Sequence, residues 1–405
     1  MISTPMKTRF LSHALVATLA VALASCAQFE RPAPRPAPHP APAQAAPAPR
    51  IAPAAPLGSE MRVALLLPLH GPYAASAEMV RDGFFAALYT QPASHPAIRT
   101  YDSAGTADNL RLIVRQAIND GAHFIVGPLQ KDLVTAMATQ GSPSVPVLAL
   151  NYLETAQYAP SQFYQLGLAP EDEARAAATQ AVAAGFKRAA ALTPQNEWGE
   201  RILSAFSKRL TELGGELVSS QRYTGVADVS LPIKTMMGLP ESEDRKVALQ
   251  GTIGGKIEFD PRRRDDLDFV FVAAKSDQGR LIIPQLRFHR LGNLPVFATA
   301  QVFDNGSGDS DLSGLRSCDI PMMFRSGGRY APLRSQLDEL LPNRTREQQR
   351  LFALGYDAYQ LIGFLREGPL PGSGGFAAAT GDLGMGGNGA ITRGLTCEEL
   401  AQAAR

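Results

Sequence analysis

The sequence predicts an α/β fold of two doubly wound parallel-sheet lobes with a cleft between them. Three observations carry that prediction. Met61-Arg-Val-Ala-Leu-Leu-Leu67 is an apolar run closed by Pro68, the pattern of a strand buried on both faces of a parallel sheet. From there to residue 150, short apolar runs alternate with amphipathic helical stretches, a βαβ series. After 163–166 the alternation starts again, and two series in sequence make two lobes.

Ahead of the first strand lies a leader. Lys7 and Arg9 precede an apolar run over 10–26 that ends in Leu23-Ala-Ser-Cys26, a lipobox. About 14 apolar residues are too few to cross a bilayer and suit a secretory signal peptide, so residues 1–25 are expected to be removed. The pattern resembles that of bacterial lipoproteins, in which the cysteine, here Cys26, receives a diacylglycerol and its new amino terminus is acylated. Three acyl chains hold far longer than one. The alternative is an ordinary secretory peptide in which Cys26 is incidental. In such lipoproteins Asp after the cysteine favours the inner membrane; Ala27 stands there, so a lipid anchor on the periplasmic face of the outer membrane is expected.

Residues 26–58 are the anchor and a spacer. Ten of the 27 residues over 31–57 are proline and most others are alanine. Proline at alternate positions fixes φ and removes donors, which gives an extended rod of roughly 80 Å at about 3.1 Å per residue. A flexible tether without a length requirement is the other reading.

In the first lobe the run over 61–67 is followed by a helix over 75–89, a strand over 98–101 and a helix capped by Asp108, with Leu110, Ile113, Val114, Ala117 and Ile118 on its apolar side. Strands over 124–126 and 145–150 flank a helix near 131–139. The second lobe opens at Pro170, a tolerated first helical position, with Glu171, Asp172 and Glu173 crowding a first turn that favours anions. Strands follow over 189–192 and 216–223 around a helix over 199–213. An irregular insert is expected over 230–266. The series resumes with a strand over 269–273, a helix over 277–291 capped by Ser276, and a strand over 295–298.

The last third reads as helices over 332–341 and 349–366, then a Gly-rich stretch. Gly386-Gly-Asn-Gly389 between two short strands looks like a hairpin turn that needs positive φ. It lacks the lysine and following helix of a phosphate loop.

Charge gives no sign of a nucleic-acid partner, and none is expected. The chain has 39 basic and 38 acidic residues, and loss of Lys7 and Arg9 leaves 37 against 38. Arg262, Arg263 and Arg264 are neutralised by Asp265, Asp266 and Asp268, a solvated loop. With Cys26 lipidated, Cys318 and Cys397 remain. They form either a disulfide, which an oxidising periplasm permits, or two separately buried thiols; the bridge is the working expectation.

Catalysis finds little support. The six histidines are scattered, none at a metal-binding helical spacing. Gly254-Gly-Lys256 nears a phosphate-loop ending, but Gln250 and Ile257 occupy the positions of the first glycine and the Ser/Thr. Neither a nucleophile elbow nor a Ser-x-x-Lys motif occurs. No enzyme, cofactor or metal is expected.

Taken together, several stretches resemble a known family. Val63-Ala-Leu-Leu-Leu-Pro-Leu-His-Gly-Pro72, Ile125-Val-Gly-Pro-Leu129, Pro146-Val-Leu-Ala-Leu-Asn151, Pro194-Gln-Asn-Glu-Trp-Gly199, Cys318-Asp-Ile-Pro321 and Ala353-Leu-Gly-Tyr-Asp-Ala358 are similar in order and spacing to the penicillin-binding protein activators of the LppC/LpoA type. The resemblance covers nearly all of the chain after residue 60. It implies a fold like the type I periplasmic binding proteins, over 59–405, with a first lobe of about 59–168 and 326–380 and a second of about 169–325 and 381–405. It also implies an outer-membrane lipoprotein that stimulates a class A penicillin-binding protein, a cell-wall synthase of the inner membrane. Longer members carry a helical-repeat domain where this chain has its Pro/Ala segment.

In such a fold ligands meet the carboxyl ends of strands. Those positions are His70, Gly71 and Pro72, then Asn151 and Tyr152, then Asn196, Glu197 and Trp198, then Lys275, Ser276 and Asp277. Trp198 either stacks on a small ligand or anchors its own helix; Asn151 and Ser276 have turn or cap duty as their plainer reading. The competing function for this fold is the solute receptor of an ABC importer. Ala149-Leu-Asn-Tyr152 stands where amino-acid receptors look for a Ser/Thr-rich loop, and Ala27 places the head away from an inner-membrane importer.

Overall fold

The computed structural model describes residues 57–90, 95–154, 158–225, 229–304, 310–324, 328–370, 372 and 375–399. The leader, Cys26 and the spacer lie outside the described residues.

Strand β1 (Arg62–Leu67) is buried from Val63 onward. It pairs in parallel with β2 (Ala97–Asp102) and β3 (Phe124–Val126), and β4 (Val147–Ala149) and β5 (Phe163–Gln165) extend the sheet in the order β2-β1-β3-β4-β5. Alternation along β1 divides its side chains between two layers. Val63, Leu65 and Leu67 meet α1 (Ala74–Thr90), whereas Ala64 and Leu66 meet α2 (Ala107–Asn119) and α3 (Lys131–Ala138). Thr106, rather than Asp108, caps α2 by accepting from Asn109 N; Asp108 sits inside the first turn.

The second lobe repeats the plan. Helix α4 (Glu171–Ala183) packs buried alanines against α5 (Glu197–Glu212). Between and after them run β6 (Arg188–Pro194), β7 (Glu216–Tyr223), α6 (Ser230–Met236), α7 (Leu239–Ile253), β8 (Phe269–Val272), α8 (Ser276–Phe288), β9 (Val296–Thr299) and β10 (Leu315–Asp319). Helix α9 (Ala331–Leu340) and helix α10 (Arg346–Leu365) follow, then the small sheet of β11 (Phe376–Ala378), β12 (Gly381–Met385) and β13 (Ile391–Gly394), and last β14 (Thr396–Glu399). The second sheet runs β14-β10-β9-β8-β6-β7, with β14 antiparallel on the edge. Cys318 on β10 and Cys397 on β14 face each other and are joined by a disulfide.

Two further expectations are corrected here. The stretch 230–266 is not irregular throughout, because α6 and α7 form within it; α7 buries only Leu239 and Ser242 and so has no apolar stripe to betray it. Ser276 does not cap its helix. The extended cap conformation falls on Lys275, whose N donates to Gln278 Oε1 at 3.0 Å, and Ser276 is the buried first residue of α8.

Helix α10 belongs to both lobes. Leu354, Ala358, Tyr359 and Ile362 lie in the first-lobe core, Phe352 and Ala353 in the second. It crosses α1 at backbone contact, for a Cβ on Gly355 would fall 1.8 Å from Val80 O and one on Gly83 1.9 Å from Phe352 O. Leu337 of α9 packs into the second-lobe core, and we propose that the lobe boundary runs along α10.

Candidate functional site

The carboxyl ends of both sheets meet at a cleft that holds two cavities of about 550 and 560 Å³, within the range that takes small molecules. Leu168, Pro170 and Leu351 belong to the walls of both.

The first cavity is built on buried charge. Arg350, one turn into α10, donates from Nε to Asp319 Oδ1 at 3.0 Å and from Nη2 to Asp319 Oδ2 at 2.9 Å. Its Nη1 donates to Asp304 Oδ1 at 2.9 Å. This bidentate geometry is the strong form of the pair. Burial alone would raise the Asp319 carboxyl, but Arg350, aided by Arg346, holds it below the usual range. Arg393, inward-facing on β13, donates from Nε to Asp172 Oδ2 at 2.9 Å and from Nη2 to the carbonyl of Ala169 at 3.1 Å. Glu173, on the first turn of α4, accepts from Ala300 N at 2.8 Å. Burial pushes its carboxyl up to about 8, against the pull of Arg350. Lys275, Ser276 and Asp277 complete this cavity from the start of α8.

The second cavity is more nearly neutral. Asn151 and Tyr152 line it. Asn151 Nδ2 donates to the Leu129 carbonyl at 3.1 Å, and its Oδ1 accepts from Tyr152 N at 3.0 Å, so turn duty is present. Burial, with Asp172 near, pushes the Tyr152 hydroxyl up to about 12; protonated, it donates to the Ile391 carbonyl at 2.8 Å and so ties the first lobe to β13. Asn388, in the 386–389 turn at φ 60°, reinforces that tie by accepting at Oδ1 from Ala159 N and at its carbonyl from Gln165 Nε2.

The remaining strand-end residues line neither cavity. His70 is exposed and lies with Nδ1 2.6 Å from Asp102 Oδ2, and Gly71 follows at φ +80°. Asn196 caps α5 through Gly199 N at 2.9 Å, while Glu197 is exposed. Trp198 packs against the second-lobe core, its indole nitrogen buried without a partner. Strand-end reasoning missed Asp172, Glu173, Asp304, Asp319, Arg350 and Arg393. A signal existed for two of them: Arg350 shares the inward face of α10 with Leu354 and Leu361, and Arg393 alternates inward with Ile391.

Chemically the cleft offers hydrogen bonding and fixed charge. Among the described residues no group of three or more His, Cys, Asp or Glu is arranged to hold a metal, and no helix is long and apolar enough to cross a membrane.

The model of the family described as "LppC putative lipoprotein" matches residues 55–402. A penicillin-binding protein activator LpoA of Vibrio antiquarius (strain Ex25) is 31% identical over 344 residues, 83% of this chain and 56% of that protein. The chain spans about half the length of the curated relatives it matches. The LpoA C-domain of Haemophilus influenzae, described as a regulator of PBP1A, superimposes with a TM-score of 0.65 at 23% identity over 85% of this chain and 98% of that one. A structure titled as a putative branched-chain amino acid ABC transporter from Chromobacterium violaceum gives 0.64 at 24% identity, over 84% and 100%. At these identities the likeness is one of fold, the type I periplasmic-binding-protein kind.

Proposed function

Because the chain belongs to the LppC lipoprotein family, we propose that it is a lipid-anchored activator of a class A penicillin-binding protein and so a regulator of peptidoglycan synthesis rather than an enzyme. The observation that carries this reading is the continuous family match over 55–402, joined to 31% identity with an LpoA activator across 83% of the chain. Cys26 is the proposed site of lipidation after removal of residues 1–25, and Ala27 the reason for placing the anchor in the outer membrane. From there the head reaches its inner-membrane partner through the Pro/Ala segment. The interlobe cleft is proposed to take a small ligand as well.

The receptor reading draws on a likeness of fold alone. One experiment separates the two. The full-length chain in detergent is expected to bind the periplasmic part of its cognate synthase and to raise its glycan-polymerising or cross-linking rate. Absence of binding at about 50 µM, together with a large melting shift from one small solute, would transfer the proposal to the receptor.

A further inference from the structure

The first cavity carries a charge pattern that its own side chains leave incomplete. Its buried cations are already matched, Arg350 by Asp319 and Asp304, Arg393 by Asp172. Three acids of the same wall, Glu173, Asp277 and Glu347, form no ion pair among the described residues. Against them stands Lys275, likewise without a carboxylate partner among the described residues. At pH 7 the unmatched charge of the lining is therefore Asp277 and Glu347 against Lys275, a net negative charge, beside the protonated carboxyl of Glu173, in a space of about 550 Å³ that suits a ligand of amino-acid to dipeptide size.

We propose that this cavity binds a small organic ammonium compound whose charged amine pairs with Glu173, with Asp277 and Glu347 adding attraction and Lys275 meeting a carboxylate where the ligand carries one. The proposal rests on the reading of the cleft as a ligand site and not on the identity of the synthase. Glu173 comes from α4 of the second lobe and Glu347 from α10, which is packed on α1 of the first. A ligand touching both acids fixes the lobes relative to each other, which makes it a regulator of the head's shape.

Proton balance gives the proposal a signature. Arg350, Arg393 and Asp319 are the charged groups around Glu173, and burial still leaves its carboxyl pushed up to about 8, so at pH 7 it carries its proton. When the ammonium arrives, that proton leaves for water, and the carboxylate pairs with the ligand, whose amine stays protonated. Affinity should rise with pH toward 8 and level off above it.

Calorimetric titration of the full-length chain tests this with cadaverine, L-lysine and glutarate, each at pH 7 in phosphate and in PIPES, an anionic disulfonate buffer that does not mimic the amines. Cadaverine and L-lysine are expected to bind with an enthalpy that changes between the two buffers, the mark of proton release, and glutarate is expected to be weaker. Glu173→Gln should weaken the amines about tenfold and remove the buffer dependence. Asp277→Asn with Glu347→Gln, at exposed positions, should weaken them severalfold without disturbing the fold, and keeps the test alive if E173Q fails to fold. Absence of amine binding at about 10 mM, equal binding of glutarate, or unchanged affinity in the double variant overturns the proposal. Amine binding by a preparation that ignores the synthase would sink the activator reading and leave this site standing.

Discussion

Arg350 is nearly buried and neutralises two carboxylates, Asp319 and Asp304, at once. Its replacement by Met leaves Asp319 charged and enclosed, which typically costs about 3–5 kcal/mol. Urea unfolding should show that loss; a change below about 1 kcal/mol would mean that water replaces the guanidinium. Glu173 behaves oppositely. Its folded value, up to about 8, lies above the ordinary carboxyl value, so its contribution is present in acid and lost as pH climbs through 8. Glu173→Gln should melt like the parent near pH 5 and increasingly above it toward pH 8.5, and parallel melting curves across that range would refute the shift. Such residues were hard to read in the sequence because strand-end reasoning finds loops, not side-chain directions. It reached Asn151, Tyr152 and Lys275–Asp277 on the cavity walls, but also His70, which points at Asp102 in solvent, and Trp198, which packs its own helix.

Helices and strands with a strong period were legible to within a few residues, as β7 and α3 show. Elements without one were not. Helix α7 leaves Val247, Leu249 and Ile253 exposed among polar residues, and the edge strand β14 and its neighbour β10 are short and broken by charge, so neither 3.6 nor 2 emerges. The crossing of α1 and α10 depends on two glycines. Gly355→Ala should cost about 3 kcal/mol by forcing the helices apart, whereas Gly251→Ala on α7, where nothing lies within 4 Å, should gain up to about 1 kcal/mol. Equal effects in thermal unfolding would contradict the backbone contact. At the sheet edge, Cys318 and Cys397 close a loop of 79 residues. Replacing both by Ser should cost about 4 kcal/mol in the chain-entropy account, read as a lower urea midpoint.

At the scale of the molecule, the two lobes were legible because each is a complete βαβ series. Their shared helix was not, since a helix serving two cores looks in sequence like one serving a single large core. The proposed reach from membrane to synthase is testable here: shortening the spacer within residues 31–56 should impair cell-wall regulation in cells while the purified head still activates its partner, and normal growth would show that reach is not limiting. The segment to spare is Leu57 onward, because Leu57 and Met61 are seated in the first-lobe core just before β1. That seating has a mechanical side. Tension drawn on the proposed tether would reach the head first at β1, which is held by six residue pairs with β2 on one side and three with β3 on the other; the load would fall on a strand paired along both edges rather than on a free edge of the sheet.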